Sequence, residues 1–280
     1  MLHSFLMIGQ SNMAGRGFLN DVPLIYNHHI SMLRNGRWQT MWEPVNYDRP
    51  NAGIGLAASF AAAWHLSNET GKIGLIPCAD GGTSLADWDV NGALFQHAVS
   101  QAKLAQKTSS LQGILWHQGE NDSQPDNARY YGEKFAVIIK TLREELGVPD
   151  IPLLIGGLGD FLTEGVYGAY FASYTEVNQA LKKYAENNPN CYFVTASGLT
   201  ANPDKIHIDA SSQRIFGVRY FESFQKRQHV FEPLKNETEM VEQIYRRQLS
   251  PAEEKGLADI EFSMGKLSVD AYKAKISTLM

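Results

Sequence analysis

Three residue types that together make a nucleophile occur in this chain in the order Ser…Asp…His. Ser11 lies in "GQSNMAGRG" (Gly9–Gly17), and Asp204 and His207 lie in "NPDKIHID" (Asn202–Asp209). A serine hydroxyl attacks poorly until a neighbouring base takes its proton, and an imidazole base works best when a carboxylate holds its other nitrogen. Asp204 and His207 are three residues apart in a polar turn. That spacing lets the carboxylate hold one imidazole nitrogen and leaves the other free for a nucleophile. The order is one of those found among serine hydrolases. By itself Ser11 also reads as the cap of a following helix. The glycines around it complete no nucleotide site. Gly15-Arg-Gly17-Phe-Leu-Asn20 lacks the third glycine of a dinucleotide fingerprint and the acidic residue about 20 positions further on, and no Gly-Lys-Ser/Thr supplies a phosphate loop.

Two more stretches carry groups suited to the same chemistry. "LWHQGENDS" (Leu115–Ser123) follows an apolar run with His117, Gln118, Gly119, Glu120, Asn121 and Asp122. The Gln or Asn amide can donate to a developing oxyanion, and the glycine lets a substrate approach the backbone. "CADGGTSLADW" (Cys78–Trp88) offers the paired glycines Gly81 and Gly82, whose backbone N–H groups can do the same.

To act together these stretches must be brought to one rim. Short apolar runs at Leu2–Ile8, Lys72–Ala79, Gly113–Gln118, Ile151–Gly159 and Asn190–Ser197 read as strands. Stretches of helical periodicity lie between and after them, at Gly55–Glu69, Gly92–Lys107, Asn127–Leu146 and Ser173–Asn187, with another following Asp209. Alternation of this kind predicts a parallel sheet covered on both faces. In such sheets function gathers beyond the carboxyl ends of the strands, which is where Gly9–Gly17, Asp80–Ser84, His117–Asp122 and Gly156–Asp160 fall. From Phe231 the chain turns charged and helical. Ser250-Pro-Ala-Glu253 has the form of a capping box with proline at the first helical position. The expected division is a sheet domain over 1–228 and a helical extension over 229–280, packed on the domain or on a second copy of the chain.

Composition narrows the function classes. Of 280 residues 44% are hydrophobic and 20% charged, the usual balance of a globular protein, and the formal net charge is −5. With no Lys/Arg run, a nucleic-acid partner is not expected. No apolar stretch reaches the roughly 18 residues of a membrane span, and no secretory signal is recognised, so the expected location is cytoplasmic. The two cysteines, Cys78 and Cys191, form neither a disulfide framework nor a zinc motif, and the adjacent His28 and His29 lack a third ligand at metal spacing.

Taken in order, GQSNMAGRG, the GGTSL glycines, WHQGEND, and DKIHID with SQRIFG downstream resemble the carbohydrate esterases of the sialate O-acetylesterase and acetylxylan esterase group, within the SGNH-hydrolase superfamily. The resemblance runs from Met1 to Phe224 and leaves the tail outside. It implies a three-layer α/β/α flavodoxin-like parallel sheet that removes O-acetyl groups from small acetylated carbohydrates, of the xylo-oligosaccharide or sialic-acid type, with no metal or other cofactor. It also implies that Ser11 is the nucleophile, His207 the general acid/base and Asp204 its orienting carboxylate. The oxyanion would be held by the backbone N–H groups of Ser11 and Gly82 and by one side-chain amide. The superfamily's G-x-N-D block fits Gly119-Glu-Asn121-Asp122, but this esterase group often departs from it, so Gln118 is the favoured donor and Asn121 the alternative.

Around these, Gln10, Asn12, Arg16, Gly81, Trp88, His117, Gly119 and Glu120 are expected to touch substrate or support the site. Arg16 would meet an anionic sugar or fix the turn through an ion pair. His117 would contact substrate or be a hydrogen-bonded structural histidine, and Glu120 would hold its loop. Trp38, Trp42 and Trp88 would stack on a pyranose ring or pack, and Tyr167 and Tyr170 sit in a long loop that can shape a pocket. Activity should fall as His207 is protonated, since only neutral imidazole accepts the serine proton.

Overall fold

In Phe5-Leu-Met-Ile8 every residue is at most 1% exposed. Such a continuous apolar run belongs to a strand covered on both faces. The computed structural model, which describes residues 1–279 and so leaves Met280 of the expected extension outside, makes this run the centre of a seven-stranded sheet. The strands are β1 (Leu2–Gly9), β2 (Ile30–Arg34), β3 (Arg37–Thr40), β4 (Lys72–Pro77), β5 (Ser110–His117), β6 (Leu153–Gly156) and β7 (Cys191–Val194). Their order across the sheet is β3-β2-β4-β1-β5-β6-β7, and only β3 runs antiparallel to its neighbour.

The helices are α1 (Ser11–Ala14), α2 (Leu56–Leu66), α3 (Ala93–Gln106), α4 (Pro125–Ala128), α5 (Tyr131–Leu146), α6 (Tyr174–Asn187), α7 (Ala210–Lys226), α8 (Glu237–Arg246), α9 (Pro251–Ser263) and α10 (Val269–Ser277). On one face of the sheet α2 and α7 pack together, with α8 against both; α3, α5 and α6 cover the other. This is the expected three-layer α/β/α arrangement. In α2, LAASFAAAWHL, ten of the eleven residues are buried, as a helix wedged between a sheet and two other helices must be. No described helix is long and apolar enough to cross a membrane.

One element differs from the sequence reading, which left residues 18–54 unassigned. Ile30–Thr40 folds as a β-hairpin whose turn residues Asn35 and Gly36 both have positive φ, 52° and 74°. Asn-Gly between two short runs is the signature of a type I′ hairpin turn, so the signal was present in the sequence. The expected helix over Asn127–Leu146 is also broken, into α4 and α5.

The tail packs by ion pairs as well as apolar contacts. Arg219, with a side chain 1% exposed, donates through Nε and Nη2 to Glu237 at the start of α8. Ser250 and Glu253 form the expected capping box at the start of α9. Glu253 also accepts from the His28 backbone N–H at 2.9 Å and is paired with Arg247.

Candidate active site

The chain leaves β1 at the point where its neighbours diverge, with β4 on one side and β5 on the other. At that switch point a crevice opens beyond the carboxyl ends. Gly9 lies opposite His117 in the β1–β5 register with φ +139°, and a Cβ there would fall 2.0 Å from the His117 carbonyl oxygen. Only glycine permits this approach, which joins three strand ends: the Gln10 N–H donates to His117 O and the Asp80 N–H to Gly9 O. Ser11, the serine at the head of the four-residue α1, is thereby fixed between the 80–84 and 117–122 turns.

Asn12 links this turn to the distant His207 segment. Its Nδ2 donates to Ile206 O at 3.1 Å, and its Oδ1 accepts the Ile208 N–H at 2.9 Å, so both backbone neighbours of His207 are held by the residue after Ser11. Nδ2 also donates to Glu120 Oε1 at 2.5 Å. His207 Nδ1 lies 2.7 Å from Asp204 Oδ2, while Asp204 Oδ1 accepts the backbone N–H groups of Ile206 and His207. Partial burial pushes the Asp204 carboxyl up, but these bonds from His207 and Ile206 outweigh it and hold the group below the ordinary Asp range. The Ser11 hydroxyl has no hydrogen-bond partner among the described residues. The serine turn and the imidazole segment are joined through Asn12 rather than by a bond between Ser11 and His207.

The two amides expected to compete as oxyanion donors have different surroundings. Gln118 is fully buried, and its Nε2 lies 2.6 Å from Asp122 Oδ2, 3.0 Å from Thr83 O and 3.3 Å from Gln10 Oε1. Tyr131 OH donates to its carbonyl side at 2.9 Å. An amide NH2 has two hydrogens, so this one has none to spare. Of the favoured donor Gln118 and its alternative Asn121, the first is thus fully engaged. Asn121 is half-buried at the rim, with one hydrogen donated to Gly82 O at 2.9 Å and its Oδ1 accepting from Tyr170 OH at 2.7 Å. Its second amide hydrogen is uncommitted, and Gly82 beside it is exposed with φ +78°.

The supporting residues sort themselves by contact. Arg16 is not open to an anionic sugar: its guanidinium pairs with Asp48 at 2.6 Å and both side chains are at most 5% exposed. Asp48 also accepts the Gly81 N–H at 2.8 Å, and Arg49 donates to Asp80 and to Gly81 O, so the glycine loop is held from one side. Trp88 is buried against Trp116 and donates to Thr83 Oγ1 at 3.1 Å; it supports the loop and offers no stacking face. His117 is wholly buried, with Nε2 3.1 Å from Glu120 Oε1, which fits its structural reading. Burial works to raise the Glu120 carboxyl, yet the His117 imidazole and the Asn12 amide together bring it below the ordinary Glu range. The Gln10 side-chain oxygen Oε1 accepts from the backbone N–H groups of Gly119 and Asn121, each at 3.4 Å. Trp38 packs over Gly74 away from this rim, and Tyr167 is exposed.

Asp48, Arg49 and Tyr131 were missed from sequence. They belong to no motif, and only the fold brings them to the strand ends. Among the described residues no group of three or more His, Cys, Asp or Glu side chains is placed to hold a metal ion. A cavity of about 280 Å³ adjoins His207 and Asp204, walled by Phe18, Asn20, Asn51 and Asn202. Phe18 is 52% exposed.

The model of the carbohydrate esterases described as sialic acid-specific acetylesterases matches residues 1–226. A probable carbohydrate esterase of Arabidopsis thaliana is 28% identical over 247 residues, which cover 79% of this chain and 89% of the Arabidopsis protein. The X-ray structure of the Arabidopsis protein superposes with a TM-score of 0.72 at 26% identity, covering 80% of this chain and 98% of that one. The crystal structure of NanS gives 0.67 at 17% identity, covering 81% and 97%, a likeness of fold.

Proposed function

This chain belongs to the carbohydrate esterase family of sialic acid-specific acetylesterases, a family of carboxylic ester hydrolases, and from that premise we propose that it removes O-acetyl groups from sugars through an acetyl-serine intermediate on Ser11. The observation that supports this most is the clamp by Asn12: the residue after the serine holds both neighbours of His207, while Asp204 holds the Nδ1 side of its ring. His207 takes the Ser11 proton as the serine oxygen bonds to the acetyl carbon. The carbonyl oxygen, now negative, is received by the Ser11 and Gly82 N–H groups and by the free amide hydrogen of Asn121. His207 then returns the proton to the sugar oxygen as the C–O bond breaks. Water, activated by the same imidazole, attacks the acetyl-serine and releases acetate. The sugar ring occupies the cavity beside His207, its flat face toward Phe18 and its hydroxyls toward Asn20 and Asn51. Acetylated xylo-oligosaccharides and sialic-acid-type esters are the two candidate substrate groups.

The test is hydrolysis of p-nitrophenyl acetate and of an acetylated xylo-oligosaccharide by wild type and Ser11→Ala. Loss of a nucleophile is expected to lower kcat by roughly 10³-fold or more on both. Equal rates for the two proteins would remove Ser11 from the mechanism.

A further inference from the structure

A second cavity, of about 530 Å³, lies on the other side of Leu19 from the one beside His207; Leu19 contributes to the walls of both. Two elements the catalytic reading does not use form it. One is the segment after β3, with Trp42 and the 62% exposed Tyr47. The other is α9, with Asp259 and Ser263, which lies beyond the residues matched by the family. The Arg34 guanidinium lies 5.2 Å from the Trp42 ring centre and 5.5 Å from that of Tyr47. The dividing wall is itself tied to the extension, because Lys266 Nζ, just past α9, donates to Leu19 O at 2.9 Å.

A pyranose has flat C–H faces edged by hydroxyls, and it is held where an aromatic surface adjoins fixed charged or polar groups. Trp42 and Tyr47 supply the surface, with the Arg34 guanidinium over one side of the rings; Asp259, held by Lys255 and Tyr272, and Ser263, whose hydroxyl donates to Ile260 O, keep lone pairs that can accept from sugar hydroxyls. Adjacency to the first cavity across the single side chain of Leu19 sets what occupies the second. We propose that it is a second sugar subsite, holding the pyranose units next to the acetylated one, so that the C-terminal extension makes the protein selective for acetylated oligosaccharides over acetylated monosaccharides. This rests on the esterase reading above for the position of the acetylated unit.

Tyr47→Ala removes one aromatic face, and Ser263→Trp fills the cavity from the exposed side of α9. Steady-state kinetics of each are compared with wild type on acetylated xylotetraose, acetylated xylose and p-nitrophenyl acetate. The ratio of kcat/KM for the tetraose to that for acetylated xylose is expected to fall about tenfold in both variants, through KM, corresponding to about 1.4 kcal/mol of lost binding. An unchanged ratio in both variants overturns the proposal, as does an equal loss on all three substrates. Calorimetric binding of unacetylated xylotetraose to wild type and to each variant separates this outcome from failure of the esterase reading. Wild-type binding that Tyr47→Ala and Ser263→Trp weaken supports the subsite even if no sugar ester is hydrolysed. Absence of wild-type binding sinks it even if the esterase is active.

Discussion

Asn12 illustrates how a residue with no part in bond making can decide whether a site exists. Its side chain has one amide and one carbonyl, and it uses both ends on the segment that carries His207. A serine or alanine there could not span the two contacts. The competing amides Gln118 and Asn121 show the same dependence on surroundings, since chemically they are equivalent donors. Asn121→Ala is expected to lower kcat by about 10²–10³, the usual cost of one oxyanion donor, with the melting temperature nearly unchanged. Gln118→Ala should act on stability instead, because it leaves a buried gap and takes from the buried Asp122 carboxylate its side-chain donor, leaving only the Leu85 N–H; a loss of about 1–3 kcal/mol is expected in denaturant titration. The reverse pattern, a stable and inactive Gln118→Ala beside an active Asn121→Ala, would return the donor role to Gln118.

At the level of elements, the site depends on how closely the helices behind the sheet approach one another. In α7, Gly217 faces α2 so tightly that an added Cβ would fall 2.1 Å from both Leu56 O and Ser59 Oγ. Backbone cannot retreat as a flexible side chain can, so Gly217→Ala must push the two helices apart. A destabilisation of about 1–3 kcal/mol is expected in urea unfolding, as for other overpacked cores. Retention of wild-type stability would mean that the α2–α7 contact can open enough to admit a methyl group. Because α7 follows directly from the His207 loop through the Asp209 cap, this displacement should also reach the His207 imidazole.

For the molecule as a whole, the helical tail is joined to the sheet domain by charge pairs whose strength depends on pH. Glu253 carries most of this at α9. Partial burial pushes its carboxyl up, but hydrogen bonds from Arg247, Ser250 and the His28 N–H prevail and bring it down to about 2. A carboxyl whose folded pKa lies below its unfolded one stabilises the folded form above the unfolded value, and loses that contribution as pH falls through the folded value. The attachment of α9 should therefore be complete above pH about 4.5 and weaken progressively toward pH about 2. The protection factors of the α9 amides and of His28, that is, exchange corrected for the intrinsic rate at each pH, are expected to fall over that window, and Glu253→Gln should show the lower protection already at neutral pH. Protection factors independent of pH in wild type would show that apolar packing alone holds the tail. We propose that the extension is structurally part of the domain, since Arg219, buried in α7, has Glu237 as its counter-charge.

Much of this protein was determined by its sequence alone, for reasons of short range. The apolar run of β1, the glycine-bounded Ser11 and the Ser250–Glu253 cap state their local geometry in neighbouring residues, and the alternation of strand and helix leaves a parallel three-layer sheet as the natural outcome. The Asp204–His207 pairing is equally local, three residues apart in one turn. What tertiary structure alone decided is the surroundings of chemically similar groups. Gln118 and Asn121 are three residues apart with the same functional group, yet one points into a core where Asp122, Thr83 and Tyr131 consume its hydrogens and the other reaches the rim. Arg16 beside the serine could have met substrate, but Asp48, brought from a segment with no motif, neutralises it. Hydrogen-bond capacity is finite, and which partners use it up depends on residues that meet only when the sheet has formed.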